Sequence, residues 1–264
     1  MSNSKSSDRL LGQANPPRIL FFGDPHGDFA PVTDAVMRLR PEAIVLLGDL
    51  QPRRPLHVEL AEIRSLTDIW FIHGNHDTDS EADHDNLWGS ELANRNLHGR
   101  VVEIAGYRLA GLGGIFRGKV WDPAVPIQDA PFDSAQRMLA LAQARGWKDP
   151  RGLWRSGIAL RHRSSIFPQD YTRLLKERAD ILVTHEAPGA HRRGFQVLDE
   201  LAAALGATLL VHGHHHRDID YEAEGRTPPE SPVRIFGVDK GSYLRWPLIQ
   251  GVCPIERDIT RGSR

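Results

Sequence analysis

Ile19-Leu20-Phe21-Phe22-Gly23-Asp24-Pro25-His26 places four apolar residues directly before a glycine and two metal-binding side chains, and this arrangement recurs along the chain. Ile44-Val45-Leu46-Leu47 runs into Gly48-Asp49. Ile69-Trp70-Phe71-Ile72 leads through His73 to Gly74-Asn75-His76-Asp77. Ile181-Leu182-Val183 leads to Thr184-His185, and Leu209-Leu210-Val211 to His212-Gly213-His214-His215-His216. Apolar runs of this length bounded by glycine read as buried strands. In a sheet of such strands the residues just past the strand ends gather along one edge, where ligands bind. Two Asp, one Asn and several His collected there supply oxygen and imidazole donors for two divalent cations.

The spacing extends the reading outward. Asp24, Asp49 and Asn75 recur about every twenty-five residues, the length of one strand-helix-strand step, which predicts three parallel neighbouring strands. Between them, Val32, Ala35, Val36 and Leu39 have helical spacing, and a second helix is expected over 56–63. Val101–Ile104 and Tyr107–Leu112 read as a hairpin turning at Ala105-Gly106. Further helices are expected over 134–145, 168–179 and 195–205, the last ending at Gly206, a suitable C-cap. Val233–Val238 and Tyr243–Leu248 add two late strands. No internal repeat, heptad or low-complexity tract is present.

Composition bounds the rest. With 264 residues, 40% hydrophobic and 25% charged, the chain reads as one soluble α/β domain over 17–255. A disordered leader is expected over 1–16 and a frayed tail over 256–264. The formal net charge of −1 gives no global pull toward nucleic acid or membrane. No apolar stretch is long enough to span a bilayer. The single cysteine, Cys253, excludes an internal disulfide and suits a reducing, cytoplasmic setting. Residues 115–165 differ in character, holding nine Lys/Arg against four Asp and three of the six Trp (Trp121, Trp147 and Trp154). They are expected to form an insertion packed over the site, either a hydrophobic cap or a surface that stacks a nucleobase and screens phosphates.

The five blocks, in this order, resemble the motifs of the calcineurin-like metallophosphoesterases. The resemblance spans Asp24 to His216, about three quarters of the chain. It implies a two-sheet β-sandwich flanked by helices, in four αββα layers, with two divalent metals at the sheet edge. By the same resemblance one metal takes Asp24, His26, Asp49 and His216. The other takes Asp49, Asn75, His185 and His214, so Asp49 bridges. A shared carboxylate holds two ions about 3.5–4 Å apart, close enough to share a hydroxide and grip one phosphoryl group. Mn, Fe, Zn and Ni all suit these donors, Mn being favoured. The implied activity is hydrolysis of phosphomonoesters or phosphodiesters by the bridging hydroxide. His76 matches the catalytic histidine as general acid, with Asp77 expected to orient its ring. No covalent phosphoenzyme is expected.

Departures narrow the substrate. The second block reads Gly48-Asp49-Leu50-Gln51-Pro52-Arg53, without the second Asp of Ser/Thr phosphatases, and Asp77 stands where those enzymes carry Glu. A phosphoprotein substrate is therefore disfavoured, while Arg53 or Arg54 remains available for a phosphate oxygen. A nucleotide is the alternative suggested by the basic insertion. A non-catalytic scaffold of the same fold would be expected to lose ligands, and every matched ligand is present. The HxHxDH cluster of metallo-β-lactamases and the HExxH of zinc proteases are absent. Asp28 reads as a helix cap. His73 and His212 read as polar strand-end residues, His215 as pointing away from the ligands, and His57, His84 and His191 as surface residues.

Overall fold

Alternation along each short strand builds the layers. In the computed structural model, which describes residues 17–146, 157–228 and 230–257, β1 (Ile19–Phe22), β2 (Ala43–Leu46) and β3 (Asp68–Phe71) lie side by side in parallel. Leu20, Phe22, Ile44, Leu46, Ile69 and Phe71 face outward. There they meet Val32, Ala35 and Val36 of α1 (Ala30–Leu39), Leu56 of α2 (Leu56–Glu59) and Leu87 of α3 (Glu81–Trp88). Ile19, Phe21, Ala43, Val45 and Trp70 face the other way, into the space between two sheets. A strand of period two that buries both faces has no polar position to spare, which is why these runs read as uninterrupted apolar sequence.

The second sheet opens with the expected hairpin, β4 (Arg100–Ile104) against β5 (Tyr107–Leu112). Ala105 and Gly106 take φ values of 47° and 76°, the left-handed pair that a two-residue turn between twisted strands requires. β6 (Ile181–Thr184), β7 (Leu209–His212) and β9 (Arg234–Gly237) follow in parallel, and the two-residue β8 (Ile219–Asp220) closes the edge. The order is β4-β5-β6-β7-β9-β8. In the first sheet β10 (Ser242–Trp246) and β11 (Ile255–Arg257) are antiparallel, and its order is β11-β10-β1-β2-β3. Ile181, Val183, Leu209 and Val211 meet the first sheet. Leu182, Leu210 and Ile235 meet Leu174 of α6 (Pro168–Leu174) and Leu198, Leu201 and Leu205 of α7 (Gln196–Leu205). The result is the expected αββα sandwich.

Several boundaries differ from expectation. The helix at 56 closes after four residues, although Leu60 and Ile63 beyond it are still buried. β8 and β11 were not anticipated; each is too short and too charged to show a period. The ordered chain also runs into the segment expected to fray, because Glu256 pairs with Tyr243 in the ladder and its carboxylate meets Arg245 at 2.9 Å. Residues 1–16 and 258–264 lie outside the described residues. Within the insertion, Ser134 caps α4 (Ala135–Ala144) by accepting from Arg137 N, and α5 (Gly157–Arg161) follows. The insertion's two ends meet, Ile115 N donating to Ser164 O and Ile166 N to Ile115 O, both at 3.0 Å. Trp121 is buried against Phe116 and Tyr171, so it belongs to the core and stacks on no ligand. Trp147 and Trp154 lie outside the described residues. No helix among the described residues is long and apolar enough to cross a membrane.

Candidate metal centre

Each ligand candidate sits one to four residues beyond a strand end, where the chain turns sharply. Asp24, His26, Asp49, His214 and His216 all have φ between 27° and 69°, in the left-handed region that non-glycine residues avoid. Such strain concentrates at sites where position matters more than local comfort. The glycines between them allow close approach: a Cβ on Gly74 would lie 2.2 Å from Asp49 Oδ1, and one on Gly48 would lie 2.4 Å from His185 Nδ1.

Two groups of donors result. In the first, His26 Nε2 and His216 Nε2 face each other at 3.0 Å, with Asp24 Oδ2 3.8 Å from His216 Nε2 and Asp49 Oδ2 4.0 Å from His26 Nε2. In the second, His185 Nε2 lies 3.2 Å from Asn75 Oδ1 and 3.4 Å from Asp49 Oδ2. Donor atoms of Asp49, His185 and His214 all fall within 4.8 Å of one another. Asp49 reaches both groups, and Asp24 also approaches the second, its Oδ1 lying 3.5 Å from His185 Nδ1 and its Oδ2 accepting from His214 N at 2.8 Å.

The tautomers suit cation binding. His26 Nδ1 donates to Gln51 Oε1 at 2.7 Å and His185 Nδ1 donates to Leu47 O at 2.8 Å, so each leaves Nε2 as a lone pair toward the site. Asp24 Oδ1 and His214 Nδ1 are buried without a hydrogen-bond partner, an expensive state that a cation would relieve. The electrostatics agree. Burial pushes Asp24 up to about 7, and burial pushes His214 down to about 3. Burial opposes charge on His185 as well, yet Asp49 and Asp24 outweigh it and raise that ring to about 10. Burial works against Asp49 too, but His185 holds its carboxylate below the ordinary range. These residues fit two divalent ions.

His76 stands beside the centre. Its backbone N donates to Asp49 Oδ1 at 2.8 Å, and its ring centroid lies 5.6 Å from that of His26. The carboxylate on its ring is Asp79, at 2.5 Å from Nδ1, and not Asp77. Burial lowers the His76 pKa, but Asp79 and Asp49 together outweigh this and the net shift is upward. Asp77 instead points inward, accepting from Gln51 N at 2.9 Å and Gly74 N at 2.8 Å. It is a brace for the loop, and the ring-orienting role expected of it is corrected to Asp79. The two carboxylates belong to a single 3₁₀ turn, His76–Thr78, and its C-terminal flank, and the three-residue offset from His76 to Asp79 is the signal that sequence reading passed over.

Glu186 was missed too: its Oε2 faces His214 Nε2 at 3.9 Å while Oε1 accepts from Phe116 N. That leaves the partnerless Nδ1 of His214 as the atom offered to a cation. Of the two arginines, Arg54 is paired with Glu59 at 3.0 Å, whereas Arg53 is exposed beside Gly27. Asp28 does act at a helix start, accepting from Ala30 N at 3.2 Å. His73 is buried with Nδ1 on Asn96, and His212 Nδ1 donates to Gly213 O while Tyr221 Oη donates to its Nε2. His215 stacks on His191 with centroids 4.0 Å apart. His84 is not a surface residue: it is buried and stacked flat on Trp88. His57 is half-buried against Ser90.

Comparison with known proteins follows the same lines. The family model described as calcineurin-like phosphoesterase matches residues 17–218. A protein of Haemophilus influenzae, described as an uncharacterized protein, is 44% identical over 206 residues, covering 78% of this chain and 86% of that one. The crystal structure of TT1561 from Thermus thermophilus is 17% identical, covers 87% of this chain and 94% of that one, and gives a TM-score of 0.49.

Proposed function

We propose, from the membership of this chain in the calcineurin-like phosphoesterase family, that it is a dinuclear-metal-dependent hydrolase of phosphomonoesters or phosphodiesters. The observation that carries the reading is Asp49, whose Oδ2 lies 4.0 Å from His26 Nε2 and 3.4 Å from His185 Nε2, within reach of an imidazole from each donor group. Asp24, His26, Asp49 and His216 would hold one ion, and Asp49, Asn75, His185 and His214 the other. Two bound cations supply the Lewis acidity that activates water and neutralises phosphoryl charge.

The protein groups do the remaining work. His76, held through Nδ1 by Asp79, presents Nε2 as the proton donor to the departing ester oxygen. Asp77 fixes the Gly74 and Gln51 backbone, and Gln51 in turn fixes the His26 ring. Arg53 is the side chain proposed to meet a phosphate oxygen. The exposed free Cys253 suits a cytoplasmic location.

The test is turnover of p-nitrophenyl phosphate and bis-p-nitrophenyl phosphate by protein stripped of metal and then titrated with Mn²⁺, Fe²⁺, Zn²⁺ or Ni²⁺. Hydrolysis of at least one ester, restored by metal and foremost by Mn²⁺, is expected. Absence of turnover of both esters with every one of these metals would overturn the proposal.

A further inference from the structure

Arg117, Lys119 and Arg161 line one cavity of about 260 Å³, completed by Gly118, Ile158 and His162. Linear order assigns these cations no common destination, because Arg117 and Lys119 open the insertion and Arg161 closes it. They converge because the insertion's ends are joined through Ile115 and Ser164. Arg117 is fixed in place, Nη1 donating to Ser164 O at 2.8 Å and to Ser165 Oγ at 3.0 Å. Ser164 in turn reaches the metal-site loop, its Oγ lying 2.6 Å from Thr78 Oγ1 and 3.4 Å from Asn75 O. The cavity wall is therefore one residue removed from a candidate metal ligand.

The cations have no direct ion-pair partner, although Asp79, Glu186 and Asp49 act on Arg117 from farther off. Among the described residues no carboxylate lies within ion-pair distance of Arg117, Lys119 or Arg161. Like charges brought together with partial loss of water raise the energy of the empty protein. Burial first, and then Arg161, lower the Arg117 pKa to about 10 against the opposing pull of Asp79, Glu186 and Asp49. Burial, followed by Arg117, Arg161 and Lys119, pushes His162 down to about 4. An anion in the cavity would reverse that cost. One wall is apolar, since Ile158 is 77% exposed and offers its side chain to a carbon skeleton.

We propose that this cavity binds the distal phosphate of an organic bisphosphate whose other phosphate lies at the metal centre. The proposal rests on the phosphoesterase reading for the second half of that statement only. It makes the basic insertion a specificity element: the second phosphate selects substrates by the length of the carbon chain between the two groups.

The test is calorimetric binding to the metal-loaded protein of non-hydrolysable alkane-α,ω-bisphosphonates with three to six carbons, each against the alkyl monophosphonate of the same length. The wild type should bind at least one bisphosphonate about tenfold or more tightly than its monophosphonate, the size expected of charge-assisted hydrogen bonds. The preference should fall with added salt. Lys119→Ala/Arg161→Ala should erase the preference and leave monophosphonate binding within about twofold. These two residues are chosen because Arg117 also braces Ser164. Equal preference in wild type and variant, or none in the wild type, would overturn the proposal. If neither nitrophenyl ester is hydrolysed but the preference disappears in the variant, the phosphoesterase reading fails and the cavity assignment stands.

Discussion

At the scale of single residues, the chemistry turns on which carboxylate holds His76. Asp79 makes the contact to Nδ1 and Asp77 braces the loop, so the two carboxylates should give different phenotypes. His76→Ala should retain metal and lose about 10²–10⁴-fold in kcat on an alkyl phosphate, whose alkoxide needs a proton. A nitrophenyl ester should lose much less. Asp79→Asn should act on pH. A general acid works while protonated, so activity falls as pH rises through its pKa. Asp79 raises that pKa, and removing its charge should move the alkaline limb of kcat to lower pH with metal content unchanged. An unmoved limb would show that Asp79 does not tune the acid. Asp77→Ala should instead reduce metal content, because Gly74 and Gln51 lose their acceptor.

At the scale of elements, legibility followed length and apolarity. β1, β2, β3, β6 and β7 were readable because each is buried on both faces and ends on a glycine or a donor residue. The donors could be located for the same reason, since a parallel sheet brings its strand ends to one edge. β11 was not readable: Ile255-Glu256-Arg257 is stabilised by cross-strand partners, including Arg245 and Tyr243, that no local pattern announces. Deleting residues 255–264 should therefore expose the β10 edge. The expected cost is about 1–3 kcal/mol in urea unfolding, with the metal stoichiometry kept. An unchanged midpoint would show that β11 contributes nothing. Asp79 escaped for a different reason, because side-chain direction in a 3₁₀ turn is fixed by the turn and a linear motif carries no such information. The meeting of Arg117 with Arg161 escaped because it depends on how the insertion's ends close.

At the scale of the whole molecule, two sheets and two helical layers exist to bring five loops to one edge, and their stability should depend on buried neutral histidines. His162 falls from an ordinary 6.5 to about 4 in the folded protein. The unfolded chain then binds the proton more tightly, so the stability tied to this ring is full above about 6.5 and is lost as pH falls toward 4. His162→Gln should accordingly gain on the wild type in thermal midpoint between pH 7 and pH 5; a constant difference would contradict the sign. The central claim is that one carboxylate joins two metal sites into a hydrolytic centre. Metal content and p-nitrophenyl phosphate turnover of wild type and Asp49→Asn, measured side by side in excess Mn²⁺, test it most directly. The wild type should hold two ions per chain, and the variant should lose ions from both sites and fall to near-background rate. A variant that keeps two tightly held ions and more than half its rate would contradict it.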